Sequence, residues 1–148
     1  MLYFFDSSAL VKRYHAETGS PAIDEIFTAP VEKTLTLSSL SLCEVVSAFN
    51  RAGNRGEISN AEIVIAMTRF YSDILNRTLS IVDITRAHIV RASELILQHN
   101  LRPHDAVILS CAMDMQQFNP VFVASDGKLF AAARERHFRV MNPEDPSR

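Results

Sequence analysis

Residues 2–17 read "LYFFDSSALVKRYHAE": four apolar residues, then an aspartate, then two serines. The apolar run has the length and composition of a buried strand, so the carboxylate that closes it needs a physical reason. Four further runs have strand character: "TLTL" (34–37), "LSIVDI" (79–84), "VFVAS" (121–125) and "FRVM" (138–141). Helical periodicity separates them. Residues 61–75 place Ile63, Met67, Phe70 and Ile74 at spacings of three and four, residues 86–99 repeat the pattern with Ile89, Ala92 and Ile96, and Pro103 suits the first turn of a helix running to about Gln117. Apolar strands alternating with helices predict an α/β fold whose parallel sheet is covered on both faces.

The chain has 148 residues, 47% apolar and 22% charged, the size and composition of one globular domain spanning 1–148. No apolar stretch approaches the roughly 18 to 20 residues of a membrane helix, and no basic region precedes a small-residue cleavage site, so a soluble, cytoplasmic protein is expected. Cys43 and Cys111 sit among apolar neighbours and read as buried thiols. The terminal "NPEDPSR" reads as frayed. A net charge of −2 excludes a globally basic nucleic-acid binder. Any such binding must use a local patch, for which Lys12, Arg13, Arg51, Arg55, Arg134, Arg136 and Arg139 are available.

In an open α/β sheet, ligands bind beyond the carboxyl ends of the strands. Asp6 follows "LYFF" and Asp126 follows "VFVAS", each where a helix N-cap also accounts for it. Asp105, in "LRPHDAVILSCA", falls at the third helical position if Pro103 is the first, with Ile108, Leu109 and Ala112 on its stripe, so it faces the core. Glu44, in "SSLSLCEVVSAFNRA", is followed at three and four by Ser47 and Ala48, which offer no ion pair. Carboxylates gathered in one cleft repel, and either take up protons or require a hard divalent cation. Oxygen ligands without clustered His or Cys favour Mg²⁺ or Mn²⁺ over zinc, with open positions for phosphate oxygens.

The blocks "FFDSSALVK", "SSLSLCEVVSAFNRA", "LRPHDAVILSCA" and "VFVASDGKLFAAA", in this order, resemble a PIN-domain ribonuclease, most closely the VapC-like toxins of toxin–antitoxin pairs. The resemblance implies a PIN-like three-layer fold with a five-stranded parallel sheet flanked by helices, a homodimer, an antitoxin partner, and Mg²⁺- or Mn²⁺-dependent cleavage of an RNA substrate. By matching position, Asp6, Glu44, Asp105 and Asp126 become the metal site, with Ser8 and Ser125 as hydroxyls lining it. Where some family members carry a further acid after the last aspartate, this chain has Lys128 and Leu129, so one well-held ion is expected.

His104 beside Asp105 reads as a capping or solvated residue, and His15, His88, His99 and His137 as exposed. Met113, Met115 and Phe118 read as core packing, with a dimer face as the alternative. Two other functions compete: a phosphoacceptor signalling domain, and a degenerate PIN scaffold that binds RNA or protein without cutting. An antitoxin tail is expected across the helices after "TLTL" and near residues 59–75, with a basic side chain close to the acidic cleft, and Ile63, Met67, Phe70 and Ile74 either form its groove or are buried within the monomer.

Overall fold

In the computed structural model, which describes residues 1–145, five strands form one all-parallel sheet. They are β1 (Leu2–Phe5), β2 (Thr34–Ser38), β3 (Leu79–Val82), β4 (Val121–Val123) and β5 (Arg139–Met141), in the order β3-β2-β1-β4-β5. All five sequence-predicted strands are present, shorter than their apolar runs at β3, β4 and β5. The first strand is therefore the central one. Its register aligns Phe4 with Thr36 and Phe122, and Phe5 with Leu37 and Val123. Successive side chains on a strand point to opposite faces, and the two phenylalanines enter different cores. Phe4 lies with Phe122 and Phe138 on one side, and Phe5 lies with Leu37, Phe49 and Phe70 on the other.

Among the described residues, seven α-helices cover the sheet: α1 (Ser7–Leu10), α2 (Ser20–Thr28), α3 (Ser39–Asn54), α4 (Asn60–Leu75), α5 (Arg86–His99), α6 (Pro103–Met113) and α7 (Gly127–Glu135). Helix α2 follows Gly19, whose φ of 93° suits glycine, and has Pro in its first turn; the reading of the sequence did not include it. Helices α4 and α5 begin with capping boxes, Ser59 with Glu62 and Thr85 with His88, and Pro103 opens α6. Helix α6 stops at Met113, before the predicted end near Gln117, and a short 3₁₀ turn follows at Gln116–Phe118. No helix among the described residues is long and apolar enough to cross a membrane.

Several local expectations are overturned. His88 is buried, because Nδ1 accepts from the Thr85 N–H at 2.9 Å while Nε2 lies 2.6 Å from Asp114 Oδ2. Cys43 is exposed on the outer face of α3, and only Cys111 is buried. Phe118 is exposed, whereas Met113 and Met115 pack against the core. On α4, Phe70 is fully buried and Ile63, Met67 and Ile74 lean on the core, so the face left outside carries Val64, Ile65, Tyr71 and Leu75.

The segment expected to fray is folded as far as it is described: Asn142 bridges Asp145, and Glu144 pairs with Lys12 at 2.8 Å. Residues 146–148 lie outside the described residues. Lys12 is itself buried and also pairs with Glu17 at 2.8 Å. Burial works against its charge, but the two carboxylates outweigh it and raise the ammonium pKa.

The packing of the central strands yields a direct test. Phe122 is fully buried and stacks on Phe4, with ring centroids 5.9 Å apart and planes within 8°. Phe122→Ala is expected to cost roughly 3 to 5 kcal/mol, read as a lower denaturation midpoint in urea.

Candidate active site

The carboxyl ends of β1 and β4 lie side by side, and the Asp6 N–H donates to Val123 O at 2.9 Å. This is where connections leave the sheet in opposite directions, the position at which open α/β sheets bind ligands. Asp6 caps α1: its Oδ2 accepts from the Ser8 N–H at 3.1 Å and from the Ser8 hydroxyl. Asp126 caps α7, Oδ1 accepting from the Lys128 and Leu129 N–H groups, both at 3.0 Å. The capping explanation is thus correct for both, and it also fixes where their carboxylates sit.

Asp105 occupies the third position of α6 and is buried, as its stripe required. Glu44, on α3, is four-fifths buried and accepts from the Ser7 hydroxyl at 2.8 Å. All four acids line a single cavity of about 520 Å³, together with Ser7, Ser8, Ser47, Ala48, Arg51, Arg102 and His104. Ser125 lies next door: its N–H donates to Ser8 Oγ at 3.2 Å, and its own Oγ is buried with no hydrogen-bond partner among the described residues.

The electrostatics are those of crowded anions. Burial, above all, pushes the Asp6 carboxyl up to about 6; the Ser8 hydroxyl opposes this, and the charges of Glu44 and Asp105 add to it. Asp105 is raised as well, first by burial, with His104 opposing and Asp126 and Glu44 contributing. His104 Nε2 lies 3.3 Å from Asp105 Oδ1 and 3.9 Å from Glu44 Oε1, so this histidine borders the acids although its sequence position marked it only as a helix start.

Among the described residues, no three His, Cys, Asp or Glu side chains form a ready arrangement to hold a metal ion. Hydroxyl and backbone donors engage Asp6 Oδ2, Glu44 Oε2 and Asp126 Oδ1. The chemistry of the donor set nevertheless fits a hard divalent cation: oxygen ligands only, like charges sharing a cavity, and two acids driven towards the neutral form by burial first and by their like-charged neighbours second.

Of the seven basic residues, only Arg51 lines this cavity. Arg13 pairs with Asp24 and covers the Phe27 ring, Arg55 pairs with Glu57, and Arg136 bonds His99 and Gln98. Arg102 borders the acids and was missed in the sequence, as were Ser7 and Ser47. Helical spacing held part of the signal: Glu44, Ser47, Ala48 and Arg51, at intervals of three, four and seven, make one stripe of α3.

A family model described as "PIN domain" matches residues 3–135. No curated protein sequence matches the chain. Among solved structures it is similar to a toxin–antitoxin complex from Klebsiella pneumoniae, at 18% identity over 95% of this chain and 97% of that one, TM-score 0.62. It is also similar to PAE2754 from Pyrobaculum aerophilum, at 14% identity over 97% and 85%, TM-score 0.68. A third is VapBC2 from Rickettsia felis bound to a DNA fragment from its promoter, at 18% identity over 96% and 98%, TM-score 0.59. At these identities the likeness is one of fold.

The raised Asp6 carboxyl predicts a pH signature in metal-free protein. An acid whose folded pKa lies above its ordinary 3.8 stabilises the fold below that value and loses the contribution as pH rises through about 6. The difference in unfolding free energy between wild type and Asp6→Asn, measured in EDTA, should therefore shift against wild type by on the order of 2 to 3 kcal/mol between pH 4 and 7. Mg²⁺ should diminish the shift, and a pH-independent difference would contradict the electrostatics described.

Proposed function

Because this chain belongs to the PIN-domain family, whose members are generally nucleases, we propose that it is a metal-dependent endoribonuclease and the toxin of a toxin–antitoxin pair. The observation that carries the reading is the convergence of Asp6, Glu44, Asp105 and Asp126, from four separate elements, on one cavity at the switch point of the sheet. These four would hold Mg²⁺ or Mn²⁺, which when bound supplies an activated water and neutralises charge on the phosphate. The chain's own residues prepare that site. Ser8 and the backbone orient Asp6, Ser7 orients Glu44, and the α7 N–H groups orient Asp126. The buried sheet edge beneath them excludes water from one side, and Arg51 and Arg102 place positive charge at the cavity where a polyanion arrives.

The strand order also bears on the competing phosphoacceptor function. Receiver-type sheets run 2-1-3-4-5, whereas β1 here lies between β2 and β4, and the residue beside Asp6 is Ser7 rather than a second acid. The non-cutting scaffold is separated from the nuclease by assay.

A partner antitoxin, a homodimer and a cytoplasmic setting belong to the same proposal. The outer face of α4 supports a docking site for the antitoxin, since Val64, Tyr71 and Leu75 are exposed and line a cavity of about 510 Å³ with Met67. Ile89, Val90 and Leu97 on α5 are apolar and exposed, and are available to bury in a dimer.

RNA cleavage is expected to require Mg²⁺ or Mn²⁺, to stop with EDTA, and to fall at least about a hundredfold in Asp6→Asn and Asp105→Asn while both variants remain folded. Equal cleavage by wild type and both variants would exclude the enzymatic reading. Leu75→Glu, at a side chain 81% exposed, should weaken binding of the cognate antitoxin about tenfold or more in a pull-down or calorimetric titration.

A further inference from the structure

The acidic cavity does not end at the four carboxylates. A second cavity of about 410 Å³ adjoins it and shares Ser8, Ala48, Arg51 and Asp126 with it. Arg51 stands at the junction. It is exposed on α3, two turns beyond Glu44 on the same stripe, about 10 Å along the helix axis. Its Nη1 donates to Ser47 Oγ at 2.8 Å, and among the described residues it forms no ion pair, although acids line both cavities.

The lysine and the other arginine of the second cavity are neutralised locally, Lys12 by Glu17 and Glu144 and Arg55 by Glu57. One uncompensated guanidinium therefore faces the continuation of the site. A planar fork of donors without a carboxylate suits a phosphate. Nearby, Ser125 lines the same cavity, its Oγ buried and without a hydrogen-bond partner among the described residues.

We propose that Arg51 is a positioning residue that holds the phosphate neighbouring the scissile one, and that the second cavity receives the nucleotide attached to it. The inference rests on the ribonuclease reading and deepens it: the substrate is a strand that continues past the acids, not an isolated phosphodiester.

The test uses the full chain, a short labelled single-stranded RNA, and the variants Arg51→Gln, Arg51→Lys and Asp6→Asn. Arg51→Gln should raise KM about tenfold with kcat within a factor of about three, since a phosphate contact positions the substrate without touching the reacting atoms. In anisotropy titrations on the Asp6→Asn background, it should also reduce the slope of log Kd against log salt by about 0.7, one phosphate contact to a single strand. Arg51→Lys should recover most of the salt slope and only part of KM, because the charge returns without the fork. The KM penalty should shrink to below about threefold on a dinucleotide, which lacks the neighbouring phosphate.

Unchanged KM and salt slope in Arg51→Gln, with Asp6→Asn still inactive, would overturn this proposal and leave the ribonuclease reading standing. An equal penalty on the dinucleotide would do the same, placing Arg51 at the scissile phosphate. Wild-type protein that neither binds nor cleaves the RNA, or cleaves no faster than Asp6→Asn, would overturn both.

Discussion

Four carboxylates from distant parts of the chain share one cavity because the first strand is the central one. With β1 between β2 and β4, the residue that follows it emerges beside the end of β4, and the Asp6 N–H ties the two ends together through Val123 O. Helix α3 leaves β2 alongside and brings Glu44, while α6 packs over the other face and delivers Asp105. Each acid also serves the fold or is held by it, Asp6 and Asp126 as caps, Asp105 in a buried helical turn and Glu44 on the Ser7 hydroxyl. Gathering these acids costs stability, since burial first and like charges second work against the ionised forms of Asp6 and Asp105. Acids that a fold keeps buried against this cost mark a candidate functional site.

Much of this was legible in the sequence, and what was not follows a pattern. Strand runs and helical periods depend on local composition, and they located all five strands and the helices at 61–75, 86–99 and from Pro103. What a side chain meets across the fold left weaker traces. His88 looked like an exposed helix residue because its partner, Asp114, lies 26 positions away. Lys12 resembled a surface cation, yet Glu17 and a glutamate from the far end of the chain bury it. On α4 the period was right but its apolar residues go round the helix, so that Phe70 turns inward while Leu75 stays outside. The Cys43 environment was misjudged for the same reason, since apolar neighbours in sequence lie on other faces of α3.

At the site, the acids stood out because a carboxylate closing a buried strand is costly unless it has a purpose. Ser7 and His104 adjoin Asp6 and Asp105 in the chain, but only the packing of α1, α3 and α6 brings both to Glu44 and sets Arg102 in the same cavity. Ser7 shows the difference: its hydroxyl reaches Glu44 across 37 positions, a contact no local pattern encodes. The arginines give the cavity a mixed character, anionic where a cation would sit and cationic at the side from which a phosphate chain would enter.

The central claim is that these carboxylates are gathered to hold a divalent cation, and calorimetric titration of Mn²⁺ near pH 6, in two buffers of different ionisation enthalpy, tests it most directly. Because Asp6 is held with a pKa of about 6, binding at that pH should be saturable and release roughly half a proton from this group, with release vanishing by about pH 8. Asp6→Asn should lose the tight site and the linked proton together. An absence of Mn²⁺ binding, or binding without proton release that Asp6→Asn leaves unchanged, would contradict the account.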